Sequence, residues 1–230
     1  MKLIVDGKLY KYKYTPLYLG RKKINIEIER ENLKLLFEIF SELEIEFVLM
    51  YGTLLGAIRD NGFIEHDEDV DIALEIRYFD RFKKSLFKLR DKGFELIRID
   101  DRGFASIMKN GEYIDLYFFT EINDNYSVCC GNYIFSEFLK NKIEYSLYGQ
   151  NYKIPALFEK FFLVEYGEDW NVPIEFKQSL IKQYIAYFIQ VLKLILPNKI
   201  KKLVYKRKDE EKYNKFIAKV EKYENFYNHN

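Results

Sequence analysis

Asp69 and Asp71 flank Val70 at the mouth of the apolar run Val70–Ile76. Side chains alternate faces along a strand, so both carboxylates point to one side. Two like charges that close repel unless a cation lies between them, and paired carboxylates are the oxygen donors that Mg²⁺ or Mn²⁺ prefers. Asp115 sits in the middle of another apolar run, Y-I-D-L-Y-F-F from Tyr113 to Phe119. A carboxylate there is costly unless paired or bound to metal. It is read as the partner of a buried Lys or Arg or, if the two strands are neighbours, as the third member of a carboxylate triad. The stretch Asp60–Asp80 holds eight acids and one base, Arg77, and a solvated acidic loop is the ordinary alternative for such a run.

Gly52-Thr53 stands between an apolar run and a helical pattern. A glycine there permits close backbone approach to a ligand, and a helix N-terminus offers free N–H groups to phosphate. Thr53 is expected as the N-cap, with a hydroxyl to donate. Arg59 is a candidate cation for the same phosphates, against a surface ion pair with Asp60 or Glu65. His66 and the adjacent Asp67 are further candidates, with a polar loop as the alternative for His66.

The elements that must hold these residues follow from periodicity. Met1–Lys13 alternates around Asp6-Gly7 as a hairpin, and Pro16 and Gly20 mark a loop. Ile28–Leu43 is helical, Ile45–Met50 a buried strand, and a short helix runs from Gly52 to about Arg59. Val70–Ile76 is a strand, and Tyr78–Arg90 a helix closed by Gly93. Phe94–Ile99, Ala105–Lys109 and Tyr113–Phe119 form an antiparallel meander. Pro155 is expected to start a helix to about Tyr166, and the chain is helical after Pro173 with a break at Pro197-Asn198. The order implies an α+β sheet covered by helices.

The run Y-G-T-L-L-G-A-I-R-D-N-G-F-I-E-H-D-E-D-V-D-I-A, starting at Tyr51, resembles the signature of the LicD family, which includes the fukutin-related proteins. Tyr113–Phe119 resembles the family's strand with a third aspartate, and Lys153–Pro173 its closing P-x-x-x-x-x-x-L-x-x-x-Y-G-x-x-W segment. The likeness covers roughly residues 33–175. Glu65-His66 stands where the family usually has Pro-Trp, and Glu68 replaces a common Asp; the three aspartates and Gly52-Thr53 are intact.

The resemblance implies a nucleotidyltransferase-like fold with a mixed or antiparallel sheet, and a metal-dependent phosphotransferase. Such enzymes move phosphocholine or a similar phospho-alcohol from a CDP-linked donor to a sugar of a cell-surface glycan or glycolipid, as in lipopolysaccharide or capsule biosynthesis. Two Mg²⁺ or Mn²⁺ ions would be held by Asp69, Asp71 and Asp115, and Gly52, Thr53 and Arg59 would hold the donor's diphosphate. Asp115 is alternatively the base on the acceptor hydroxyl. Tyr166-Gly167 and Trp170 would line the acceptor side, with aromatic packing as the other reading of Trp170. A nucleotidyltransferase moving NMP to a sugar, protein or RNA, and an inactive scaffold or membrane adaptor, are the competing functions.

Composition narrows the field. The chain has 230 residues, 48% hydrophobic, enough to bury a sizeable core, and a net charge of +1. That balance disfavours a nucleic-acid binder. It hides a split, however. Residues 1–175 carry 24 Lys and Arg against 31 Asp and Glu, a net of −7; residues 176–230 carry 13 against 5, a net of +8. The first part is expected to be the catalytic domain and the second a basic helical extension. Only Cys129 and Cys130 are present, adjacent, and the N-terminus lacks a signal peptide's apolar core, so a reducing, cytoplasmic setting is expected. Ile181, Ile185, Phe188, Leu192 and Ile195 recur at helical spacing, followed by K-I-K-K-L-V-Y-K-R-K. This reads either as an amphipathic helix on the core followed by a solvated charged helix, or as peripheral contact with the inner face of a membrane through 181–208.

Overall fold

The computed structural model describes residues 1–16, 23–173 and 179–228. Gly20, expected in a loop, and the boundary expected at 175–176 lie outside the described residues. In chain order, β1 (Lys2–Val5) and β2 (Lys8–Lys11) form the N-terminal hairpin, followed by α1 (Ile26–Glu42), β3 (Val48–Leu49), α2 (Tyr51–Asp60) and β4 (Val70–Glu75). Next come α3 (Phe79–Asp91), β5 (Glu95–Asp100), β6 (Phe104–Lys109) and β7 (Glu112–Glu121). The remainder is β8 (Tyr126–Cys129), β9 (Asn132–Phe135), α4 (Glu137–Lys140), β10 (Lys142–Leu147), β11 (Gln150–Pro155), α5 (Phe158–Tyr166), α6 (Leu180–Ile195) and α7 (Asn198–Asn228).

The main sheet runs β3-β4-β7-β6-β5, with β8 and β9 continuing from β7. β4 and β7 are parallel and the other pairs antiparallel, so the sheet is mixed. The parallel register sets Asp71 opposite Asp115, and the antiparallel one sets Ser106 opposite Asp115. Alternation along β4 and β7 then separates two faces. Ile72, Leu74, Leu116 and Phe118 share one, and the rings of Phe40 (α1) and Phe82 (α3) pack there, Phe82 at 5.2 Å from Phe118. Asp71, Asp115 and Tyr117 share the other. α1 is set by Asn25, whose side chain accepts from the Ile28 N–H, and it buries Leu33, Leu36, Ile39 and Phe40 against the core.

Two expectations are corrected. Pro155 ends β11 rather than opening a helix, because it closes the pairing with Lys142 in a separate hairpin, and α5 begins at Phe158. The hairpins β8–β9 and β10–β11 lie between β7 and α5. The C-terminal helices also divide differently from the first of their two readings. α6 turns Ile181, Ile185, Phe188 and Ile195 outward, whereas the distal half of α7 buries Phe216 and Val220 in the core, beside Tyr126, Tyr133 and Phe135. No helix among the described residues is long and apolar enough to cross a membrane.

Candidate active site

The strand-to-helix junction shapes the site's first wall. Tyr51 takes a left-handed backbone (φ 48°) as it leaves β3, an uncommon state for an aromatic residue. Its ring is thereby set 5.2 Å from Tyr117 and 5.7 Å from Phe161. α2 starts at Tyr51 with Met50 as its N-cap residue, so Thr53 is not the cap. Thr53 is buried instead, and its hydroxyl accepts the Asp71 N–H at 2.8 Å, while the Met50 N–H donates to the Asp71 carbonyl at 3.1 Å. These bonds tie α2 to the strand that carries the aspartates. Gly52 is needed for contact with a side chain of this chain: a Cβ there would lie 2.2 Å from Asp67 Oδ2. Asp67 therefore sits against the N-terminal turn of α2, where the helix dipole favours a carboxylate.

Asp69, Asp71 and Asp115 come together. Each offers a carboxylate oxygen, and these oxygens lie within 4.8 Å of one another. Asp115 is 5% exposed and satisfies both readings of its strand position. Arg98 in β5 donates to both its oxygens, at 2.8 and 3.0 Å, and Ser106 donates to Oδ1. Arg98 Nε also donates to Ser106 Oγ at 3.0 Å, which closes a buried three-residue network. Burial first, and then the charges of Asp69, Asp115 and Asp67, push the Asp71 carboxyl well above the usual carboxylate range; a hydrogen bond with Tyr117 works the other way. Burial and then Asp71 likewise raise the Tyr117 phenol. An all-oxygen cluster with this much mutual repulsion fits a hard divalent cation.

A cleft of about 600 Å³ opens over the carboxylates. Its lining also includes the cations Arg102 from the β5–β6 turn and Lys201 and Lys212 from α7, together with Gln190 from α6 and the acids Asp100 and Asp101. An adjoining cavity of about 360 Å³ shares Asp71, Tyr117 and Lys212 and adds Lys215 and Lys219. Lys212 is anchored: its ammonium donates to Asn132 Oδ1 at 2.9 Å, and burial lowers its pKa. The β8–β9 turn makes room for it. Cys130 (φ 52°) and Gly131 (φ 80°) are both left-handed, and a Cβ on Gly131 would meet Asp209 Oδ1 at 2.4 Å and Lys212 Cδ at 3.1 Å. Asp209 in turn pairs with Arg102 at 3.3 Å, and Arg102 with Asp100 at 3.0 Å.

The other expected residues lie apart from this cluster. Arg59 does not line the cleft; both its Nε and Nη2 donate to Asp60, at 2.9 and 2.7 Å, and that contact holds the Asp60 carboxyl below its usual range. His66 is half-buried and adds a small effect in the same direction on Asp60. Trp170 packs on Phe162 at 4.7 Å. Arg98, Ser106, Arg102, Tyr117 and Lys212 were not singled out from the sequence. Arg98 carried a signal there, as an arginine inside the apolar run L-I-R-I.

Residues 44–156 match the family model described as LicD/FKTN/FKRP, nucleotidyltransferase domain. No curated protein matches the chain. Among solved structures, the chain resembles lincosamide antibiotic adenylyltransferase LnuA bound to lincomycin (11% identity, 68% of this chain and 94% of that one, TM-score 0.44). It also resembles the antibiotic-resistance factor ANT(2'')-Ia (13% identity, 88% and 100%, TM-score 0.43). At these scores the two likenesses add nothing to the fold read from the chain itself. The family match spans β3 through β11, all three aspartates and Arg98. Through residues 44–156 the chain belongs to the LicD/FKTN/FKRP nucleotidyltransferase-domain family.

Proposed function

We propose that the cleft transfers a phospho-substituent, phosphocholine or a related phospho-alcohol, from a CDP-activated donor to a hydroxyl of a glycan. The observation that carries this reading is a cluster of three carboxylates that shares one cleft with Arg102, Lys201 and Lys212. Phosphoryl-type transfer is mostly positioning and charge neutralisation, and this arrangement has parts for both. Asp69, Asp71 and Asp115 would hold Mg²⁺ or Mn²⁺, which when bound offsets charge on the transferring phosphate. Thr53 fixes the backbone of Asp71, and Arg98 with Ser106 fixes the rotamer of Asp115. Lys201, Lys212 and Arg102, which line the same cleft, neutralise donor phosphate charge. Asp115 is the alternative base on the acceptor hydroxyl. In this reading residues 1–175 carry the three aspartates and Arg102, and residues 176–230 supply Lys201 and Lys212.

Nucleotidyl transfer to a hydroxyl is the second reading, favoured by the nucleotidyltransferase description of the family. A donor panel separates them: CDP-choline, CDP-ribitol, CDP-glycerol and NTPs, each with and without Mg²⁺. Metal-dependent release of CMP is expected. Release of pyrophosphate from an NTP favours the second reading, and turnover indifferent to metal overturns the carboxylate mechanism.

A further inference from the structure

α6 is an amphipathic helix facing the unexpected way. Its buried side includes Gln190, 9% exposed, which lines the cleft. Its outward side carries Leu180, Ile181, Tyr184, Ile185, Phe188 and Ile195, with Ile181 at 73% and Phe188 at 60% exposure. Ile200 and Leu203 at the start of α7 are exposed as well. A contiguous apolar face of this extent is not ordinary surface on a water-soluble domain. Residues 179–208 also contain eight Lys and Arg, seven besides the cleft residue Lys201, and no Asp or Glu. The first acid of the C-terminal part is Asp209, which is held by Arg102.

We infer that the outer face of α6, with the start of α7, lies on an anionic phospholipid surface. An apolar helical stripe within an acid-free, basic segment, on a helix too short to span a bilayer, matches the chemistry of an interfacial helix. Charge decides the occupant. Two copies meeting through this face would bring two acid-free basic segments together, whereas anionic headgroups neutralise them. Because Phe216 and Val220 are core residues, the face is to be tested by substitution and not by truncating α7.

The full chain is floated with vesicles of phosphatidylcholine alone or of phosphatidylcholine with phosphatidylglycerol. Partitioning onto the anionic vesicles is expected to exceed that onto neutral ones by roughly 10-fold at low salt and to weaken as salt rises. The double variant Ile185→Glu, Phe188→Glu is expected to lose about 10-fold or more of that binding. Its thermal melt should match the parent, since both side chains are solvent-facing. Absence of binding to anionic vesicles overturns the inference. So does a concentration-dependent dimer in sedimentation velocity that the double variant abolishes, because the occupant would then be a second copy.

Discussion

The sheet face that carries the aspartates and the helix that follows the family-matched region bury opposite kinds of side chain. On β4 and β7 ionisable groups are held inside, each with a partner: Asp115 with Arg98, and the Asp71 carboxyl with Tyr117. On α6 a glutamine faces inward, and the isoleucines and Phe188 face outward. The difference teaches that polarity alone does not say which side of an element is the inside. A polar group is placed where something answers its charge or hydrogen bonds, and an apolar group where water is removed. In the sheet both partners belong to this chain. On α6 the inferred partner is an anionic lipid surface outside the chain.

The sharpest way to break the comparison is at its inner pole. Asp71→Asn should lower turnover by at least ~10³-fold, as expected when charge stabilisation worth about 4 kcal/mol is removed, in the metal-dependent donor assay. Arg98→Met leaves Asp115 buried and uncompensated. It should cost about 3–5 kcal/mol in urea unfolding, while Arg98→Met with Asp115→Leu recovers much of that loss but no activity. Gly131→Ala forces a left-handed turn on a residue with a Cβ and crowds Asp209. It should cost about 1–2 kcal/mol and weaken donor binding by loosening Lys212, read as a raised KM.

The pH dependence has a definite sign. The folded-state pKa of the Asp71 carboxyl is raised, so the folded chain keeps a proton that the unfolded chain releases. Without metal, this group's contribution to stability is present below the ordinary carboxylate range and is lost as pH rises through the raised value. The Asp71→Asn chain lacks that loss, so its melting temperature should gain on the parent's as pH rises. Mg²⁺ or Mn²⁺ should raise the parent's melting temperature and leave the variant's nearly unchanged. The smallest effect is at the outer pole: Phe188→Glu should alter stability by less than ~0.5 kcal/mol, since that ring is mostly exposed.

Much of the inner pole was legible in the chain because its signals are local. Asp69-Val70-Asp71 and the aspartate in Y-I-D-L-Y declare themselves within a few residues, and the hairpin, α1, α3 and the meander follow from periodicity. Arg98 as the partner of Asp115 was not legible, because the pairing depends on two strand registers. Lys212 was further out of reach: its place depends on α7 docking against a hairpin about 80 residues earlier. Pro155 misled because a proline suits the first turn of a helix and the end of a hairpin strand equally well. The second hairpin signal, Cys130-Gly131, is a two-residue turn of ordinary kind and was readable.

The contact between Arg102 and Asp209 spans 107 positions of the chain. On a ribosome, β4 through β7 emerge and can pair long before α7 is made, since domains fold from the N-terminal side during synthesis. The carboxylates would thus exist first as an open acidic surface, free to take up cations from solution. The lysines that turn this surface into a cleft are among the last parts of the site to be translated. Assembly therefore has a direction in time: the acidic floor is formed first, and the site is finished only when α7 is in place.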